Sequence, residues 1–206
     1  MPLHWLVALG VGGLAAGPFS SSGSSRMKIR PMQEEDADAV LAIYAEGIEE
    51  GLATFETRCP SWEEWDQAHL DACRLVAEGE GLLLGWAALS PVSRRACYRG
   101  VAEVTVYVAQ AARGRGVGLA LLRELIEASE EAGFWTLQGA SFEENTASIR
   151  MQERCGFRVV GFRERIGQLA GRWKNTVLTE RRSQVVGVDR PTADAHRPVL
   201  DPDDGA

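Results

Sequence analysis

The sequence predicts an α/β (α+β) domain of short strands and amphipathic helices, running from about Met27 to about Ser183. Three observations predict it. Val101 to Val108 alternates with the period of a strand. Val117, Leu121, Leu125 and Ala128 recur at helical spacing soon afterwards, and the glycine-rich segment Gly114 to Gly118 opens that helix. Further apolar runs on either side are punctuated by glycine turns, at Gly79-Glu80-Gly81 and around Gly171.

The elements follow in order. Met27 to Pro31 reads as a short strand. Ala37, Val40, Leu41, Tyr44 and Ile48 then recur as one helical face, with acidic residues crowded into the first turn and Gly47 and Gly51 loosening the end. Leu52 to Thr57 is short and β-like. Ser61-x-x-Glu64 is a capping box opening a helix through Trp62 and Trp65. Arg74 to Glu78 and Leu82 to Leu89 read as a strand pair across the Gly79-Glu80-Gly81 turn. A polar, Arg-rich loop from Pro91 to Gly100 leads into the strand Val101 to Val108. The helix Gly116 to Ala132 ends at Gly133. A strand from Phe134 to Ser141 and a short helix to Arg154, N-capped by Asn145, come next. Phe157 to Ile166 and Arg172 to Arg182 close the domain as strands.

The ends are of a different character. Leu3 to Ala16 is apolar and a serine-rich run follows, but no Lys or Arg precedes it and it is too short to span a bilayer. Residues 1–26 are therefore read as a floppy arm or a mis-called start ahead of Met27. From Gln184 onward periodicity vanishes and Pro and Asp accumulate, so 184–206 is read as a disordered tail.

The chain has 206 residues and 22.4 kDa, enough for one domain with a real core. Its net charge is -7, which argues against general binding to nucleic acid or to anionic membrane. Positive charge is gathered locally, at Arg94, Arg95 and Arg99 and at Arg113 and Arg115, where a small anion could be received. Four scattered cysteines without a CxxC pair, and three distant histidines, predict no metal site and no disulfide framework. Such thiols suit a reducing cytoplasm.

The chemistry-bearing segment is Arg113-Gly114-Arg115-Gly116-Val117-Gly118. Glycines let several N–H groups converge, and the following helix adds its own free N–H groups and the positive end of its dipole. The result is either an ordinary glycine-rich turn or a pyrophosphate site to which two arginines add charge. A dinucleotide fingerprint would need glycine where Leu119 stands, and no Gly-Lys-Ser/Thr ending marks a P-loop. On the preceding strand Glu103, Thr105 and Tyr107 share one face. That face is either the solvated side of an edge strand or the floor of a cleft. The anion loop close behind it favours the cleft.

Arg113 to Gly118 matches the Arg/Gln-x-x-Gly-x-Gly/Ala loop of the GNAT superfamily of N-acetyltransferases. Glu103-Val104-Thr105-Val106-Tyr107-Val108 resembles the Glu-x-Ser/Thr-Val-Tyr-Val strand of its phosphinothricin, methionine sulfoximine and arsinothricin branch. Ala53 to Thr57, Asn145 to Phe157 and Gly171-Arg172-Trp173 agree in order and spacing. The resemblance implies a mixed central sheet, splayed where acetyl-CoA binds. It implies that the backbone of Val106, Tyr107 and Val108 meets the pantetheine arm and that Arg113, Gly114, Arg115, Gly116, Val117, Gly118 and Leu119 hold the pyrophosphate. Asn145 is either a further cofactor contact or a plain N-cap. Glu103 resembles the general base, the alternative being a structural carboxylate paired with Arg99 or another arginine. Phe55, Thr57, Tyr98 and Trp173 fall where the branch lines its acceptor pocket, and each is equally compatible with ordinary packing.

The sequence departs from the branch at three places: Gln152 stands where Tyr or His often protonates the leaving thiolate, Asn175 where aspartate is usual, and Leu169 where a basic residue is common. The expected activity is acetyl transfer from acetyl-CoA to the α-amino group of a small amino-acid analogue, by direct attack in a ternary complex. Peptide N-termini or other amines, and a non-catalytic acyl-CoA sensor, are the alternatives. No nucleic-acid or membrane partner is expected; a homodimer is left open.

Overall fold

A computed structural model describes residues 27–188. The readings of 1–26 and 189–206 lie outside the described residues. In chain order the elements are β1 (Lys28–Pro31), α1 (Ala37–Glu50), α2 (Trp62–Ala68), β2 (Leu75–Gly79), β3 (Leu82–Pro91), β4 (Val101–Val108), α3 (Val117–Glu131), β5 (Thr136–Phe142), α4 (Thr146–Arg154), β6 (Arg158–Leu169) and β7 (Arg172–Arg182). The strands form one mixed seven-stranded sheet in the order β1-β2-β3-β4-β5-β7-β6. All neighbours are antiparallel except β4 and β5, which are parallel across the α3 crossover.

Helices cover both faces, so the sheet has two cores. Val104, Val106 and Val108 of β4 pack with Ala87 and Leu89 of β3 against Leu121, Leu122 and Leu125 of α3. On the opposite face Tyr107, Trp86 and Ala88 pack under Val40, Ile43 and Tyr44 of α1 and Trp65 of α2. The period-two alternation of β4 thus divides its residues between two buried faces, and no residue of the strand is exposed.

Local chemistry explains most boundaries. Gly51 ends α1 in the left-handed conformation. Ser61 accepts from the Glu64 N–H while the Glu64 carboxylate accepts from the Ser61 N–H, completing the predicted capping box. Leu52 to Thr57, read from the sequence as β-like, pairs with no strand. Thr54 Oγ1 accepts the Glu56 N–H at 3.0 Å, turning the chain locally, and Phe55 instead sets its ring edge-on to Phe142 at 4.7 Å. At the other end, residues 184–188 continue as bends. The Arg182 guanidinium donates to the carbonyls of Val186 and Gly187, and Gly187 lies against Trp135.

Candidate active site

The site begins where β4 and β5 part. Their ladder joins only Val101, Ala102 and Glu103 to Thr136, Leu137 and Gln138, although both strands run on. The side to which the free stretch of β4 presents its backbone can be read from its other neighbour. A methyl group on Gly85 of β3 would collide with the Tyr107 carbonyl, and the Ala109 N–H donates to Leu84 at 2.9 Å. The N–H and C=O of one strand residue point to the same side. Odd-numbered residues therefore address β3, and Val104, Val106 and Val108 address the fork. Val106 thus faces the fork with both backbone groups, and Val108 with its N–H, since its carbonyl accepts from Arg113 Nε at 3.2 Å. Tyr107 does not: its backbone faces β3, and its ring is sealed against Trp86 at 4.9 Å and Tyr44 at 4.8 Å. The cleft floor expected from Glu103, Thr105 and Tyr107 accordingly narrows to the Glu103 end.

Glu103 sits at the last paired position before the fork and is 4% exposed. Its Oε1 has no hydrogen-bond partner. Burial pushes the carboxyl well above the usual carboxylate range, and the charge of Arg163 on β6 pulls it part of the way back. Arg99, the alternative partner considered from sequence, stacks over Trp135 instead. Arg163 carried no sequence signal; only the β5-β7-β6 order brings it near. Two more buried hydroxyls on this sheet face lack a hydrogen-bond partner, Ser90 on β3 and Thr176 on β7. Leaving such a group unpaired costs on the order of 1–3 kcal/mol, so Glu103 and Ser90, opposed in the β3–β4 register, mark a place built for something polar, while Thr176, opposite Phe142, lies four residues further along and two strands across.

The glycine loop has the form of an anion site. Gly114 and Gly116 adopt φ of 73° and 82°, a region side chains rarely enter, with open space around both. The first helical bond beyond the loop runs from the Ala120 N–H to the Gly116 carbonyl. The N–H groups of Val117, Gly118 and Leu119 therefore precede the ladder of α3 and face outward from its N-terminus. Arg115 is exposed and has no ion pair among the described residues. Arg113 corrects the sequence reading. Its Nε donates to the Val108 carbonyl at 3.2 Å, and its guanidinium lies 2.9 Å from Glu50 of α1, so its charge is spent inside the protein.

The four acceptor candidates are not brought together. Phe55 lies on Phe142, on the sheet face that carries Glu103. Thr57 is exposed, Tyr98 pairs with Arg95, and Trp173 is 58% exposed on β7. No hydrogen bond, ion pair or ring contact joins these three to Phe55 or Glu103 among the described residues. Tyr44, Glu56, Arg58, Gln67 and Arg94 line a cavity of about 410 Å³, whose lining includes none of the four candidates.

Asn145 fulfils its N-cap reading: Oδ1 accepts the Ser148 N–H at 3.1 Å, and Nδ2 donates to the Leu52 carbonyl at 3.2 Å. A cofactor contact would compete with that second bond. Gln152 is wholly buried beneath α4. Its Nε2 donates to Ser141 at 3.2 Å and Ser148 at 3.1 Å, while its Oε1 accepts from Thr179. Three hydroxyls thus hold an amide that has no proton to give at neutral pH. Among the described residues there is no cluster of His, Cys, Asp and Glu that could hold a metal ion, and no helix is long and apolar enough to cross a membrane.

Comparison with known proteins agrees with this geometry. Residues 38–157 match the Acetyltransferase (GNAT) family. The chain is 39% identical to a phosphinothricin N-acetyltransferase of Alcaligenes faecalis, over 74% of this chain and 81% of the relative. It is 31% identical to an L-methionine sulfoximine/L-methionine sulfone acetyltransferase of Pseudomonas paraeruginosa, over 70% of this chain and 88% of the relative. Among solved structures, a GNAT superfamily phosphinothricin acetyltransferase from Sinorhizobium meliloti, in complex with AcCoA, superposes with a TM-score of 0.72 at 28% identity, covering 81% of this chain and 93% of that one. By sequence, by fold and by the loop and fork that the family match spans, the chain belongs to the acetyltransferase (GNAT) family.

Proposed function

We propose that this enzyme moves the acetyl group of acetyl-CoA to the α-amino group of a small amino-acid analogue of the phosphinothricin, methionine sulfoximine or arsinothricin type, by direct attack in a ternary complex. The observation that carries the reading is Glu103, a buried carboxyl with an unpartnered oxygen at the mouth of the β4–β5 fork. Acetyl-CoA fits the protein's own groups. The first-turn N–H groups of α3, with Gly114, Gly116 and Arg115, suit its pyrophosphate, and the Val106 and Val108 backbone suits its amide-bearing arm. It supplies an activated acetyl thioester.

The protein's part is acid–base and positional. Glu103 takes a proton from the acceptor ammonium, which frees the nitrogen lone pair. A backbone N–H at the fork polarises the thioester carbonyl. Arg94, exposed in the lining of the 410 Å³ cavity, suits an anionic side chain such as the phosphinate of phosphinothricin. The coenzyme A thiol, with an ordinary thiol pKa of roughly 8.5, leaves without needing a side-chain acid, which suits a site with Gln152 at the usual donor position. Kinship with enzymes named for phosphinothricin and methionine sulfoximine supports the choice of acceptor.

The test is thiol release from acetyl-CoA by the purified protein, with L-phosphinothricin, L-methionine sulfoximine and arsinothricin set beside spermidine and an N-terminal alanine peptide. Saturable turnover with one of the first three is expected. Turnover with the peptide or the polyamine alone would overturn the acceptor class. Tight acetyl-CoA binding with no turnover on any amine would point to a sensor.

A further inference from the structure

The register of β3 on β4 places Ser90 directly opposite Glu103. Directly opposed residues point their side chains to the same face, with Cβ atoms roughly 5 Å apart. Ser90 is 6% exposed and its Oγ has no hydrogen-bond partner. Neither does the Oε1 of Glu103. Two neighbouring groups that could bond each other both remain unpaired, on one face, at the mouth of the fork. A buried serine ordinarily finds a backbone carbonyl or a side chain, as Ser129 does at Ile126 and Ser141 at Ser148 in this protein. Ser90 does neither.

From this we infer that Ser90 is the second hydrogen-bonding group of the amine site, its Oγ accepting one N–H of the acceptor's amino group while Glu103 Oε1 accepts another. The inference rests on the proposed acceptor chemistry and adds a residue to it. An ammonium carries three N–H bonds, so one carboxylate leaves it free to swivel. A second acceptor on the adjacent strand fixes two of the three directions. One proton passes to Glu103 and on to solvent. The nitrogen then forms its bond to the acetyl carbon as the carbon–sulfur bond breaks. The nitrogen's surplus proton and the sulfur's electron pair leave together as the coenzyme A thiol. Through the first of these steps Ser90 holds a nitrogen that would otherwise turn.

The test uses Ser90→Ala, Glu103→Gln and the double variant, with L-methionine sulfoximine and acetyl-CoA as probes. Ser90→Ala is expected to lower kcat/KM for the acceptor about 10-fold, mostly through KM, with KM for acetyl-CoA unchanged. The losses of the two single variants should not multiply in the double variant, because both serve one ammonium. The melting temperature of Ser90→Ala in the free protein should stay level or rise, since an unpaired hydroxyl is removed. A fall of more than about 3 °C would reveal a structural partner and overturn the assignment. So would wild-type kcat/KM in Ser90→Ala while Glu103→Gln is inactive. An inert wild type indicts the acceptor reading instead, and the melting shift alone then decides for or against Ser90.

Discussion

At the scale of the residue, Glu103 couples stability to chemistry. Its carboxyl is held above the ordinary range by burial, against the opposing pull of Arg163. The folded protein therefore binds a proton there that the unfolded chain releases above roughly pH 4.3. Stability attributable to this group falls as pH rises from that point through the raised folded pKa. Glu103→Gln should accordingly gain on the wild type in urea melts as pH rises above roughly 4.3, while turnover drops about 100-fold or more. Loss of turnover with no pH-dependent gain in stability would mean the carboxyl is already ionised in the free protein. Gln152 has the opposite character. The structure gives its amide three hydrogen bonds in a fully buried pocket. Gln152→Ala leaves Ser141 and Ser148 bonded to each other and Thr179 to the Gly139 carbonyl, but it removes three buried hydrogen bonds and opens a cavity, and should cost about 2–4 kcal/mol in chemical denaturation. The folded remainder should keep the acidic limb of its pH profile, because the proposed base, Glu103, lies on β4.

At the scale of the element, α1 holds the cofactor loop from outside. The Gln110 N–H donates to Glu46 at 2.7 Å, and Glu50, one turn further on, meets Arg113. Through its Nε, Arg113 also fixes the Val108 carbonyl at the end of β4. One helix thus sets both ends of the turn between strand and anion site. Lysine at 113 has one ammonium in place of a fork and cannot reach Val108 and Glu50 with the same geometry. Arg113→Lys should weaken acetyl-CoA binding about 10-fold by calorimetry and leave the acceptor KM near its wild-type value. Gly116→Asp should abolish binding, since it forces a side chain into φ of 82° and sets a carboxylate at the anion site. Unchanged affinity in a folded Gly116→Asp would move the pyrophosphate elsewhere. Elements such as β4, α3 and the α2 capping box are legible in the sequence because each is written in local periodicity or in residues three apart. Leu52 to Thr57 is not: its β-forming composition serves a turn at Thr54 and a ring contact with Phe142, far away in sequence. For the same reason Glu103 could be named in advance but Ser90, Thr176 and Arg163 could not. Their relation to it exists only through strand register.

At the scale of the whole molecule, the sheet is two parts, β1-β2-β3-β4 and β5-β7-β6, joined by one three-residue parallel ladder. The helices α3 and α4 bridge the junction from one face, through Leu121, Leu125 and Met151, joined by Phe157 between α4 and β6. Every residue of the two buried cores lies between Val40 and Phe157, within or close to the family match at 38–157. These cores are complete within residues 27–188 as described, and a chain trimmed to 27–188 is predicted to melt within about 2 °C of the full chain and to retain its turnover. The C-terminal limit is sharper than the fading of periodicity after Ser183 suggests. Ser183 Oγ accepts the N–H groups of Val185 and Val186. Arg182 donates to Val186 and Gly187, and Gly187 covers Trp135, the residue that leads into β5. Cutting at 183 removes these exposed hydrogen bonds, worth on the order of 0.5–1.5 kcal/mol each, and uncovers an indole. For a domain of this size such a loss corresponds to a melting point lower by about 3–8 °C. Calorimetric scans of the 27–183 and 27–188 chains, run side by side, decide the matter. Equal melting points would show that the bends after Ser183 rest on the domain without holding it.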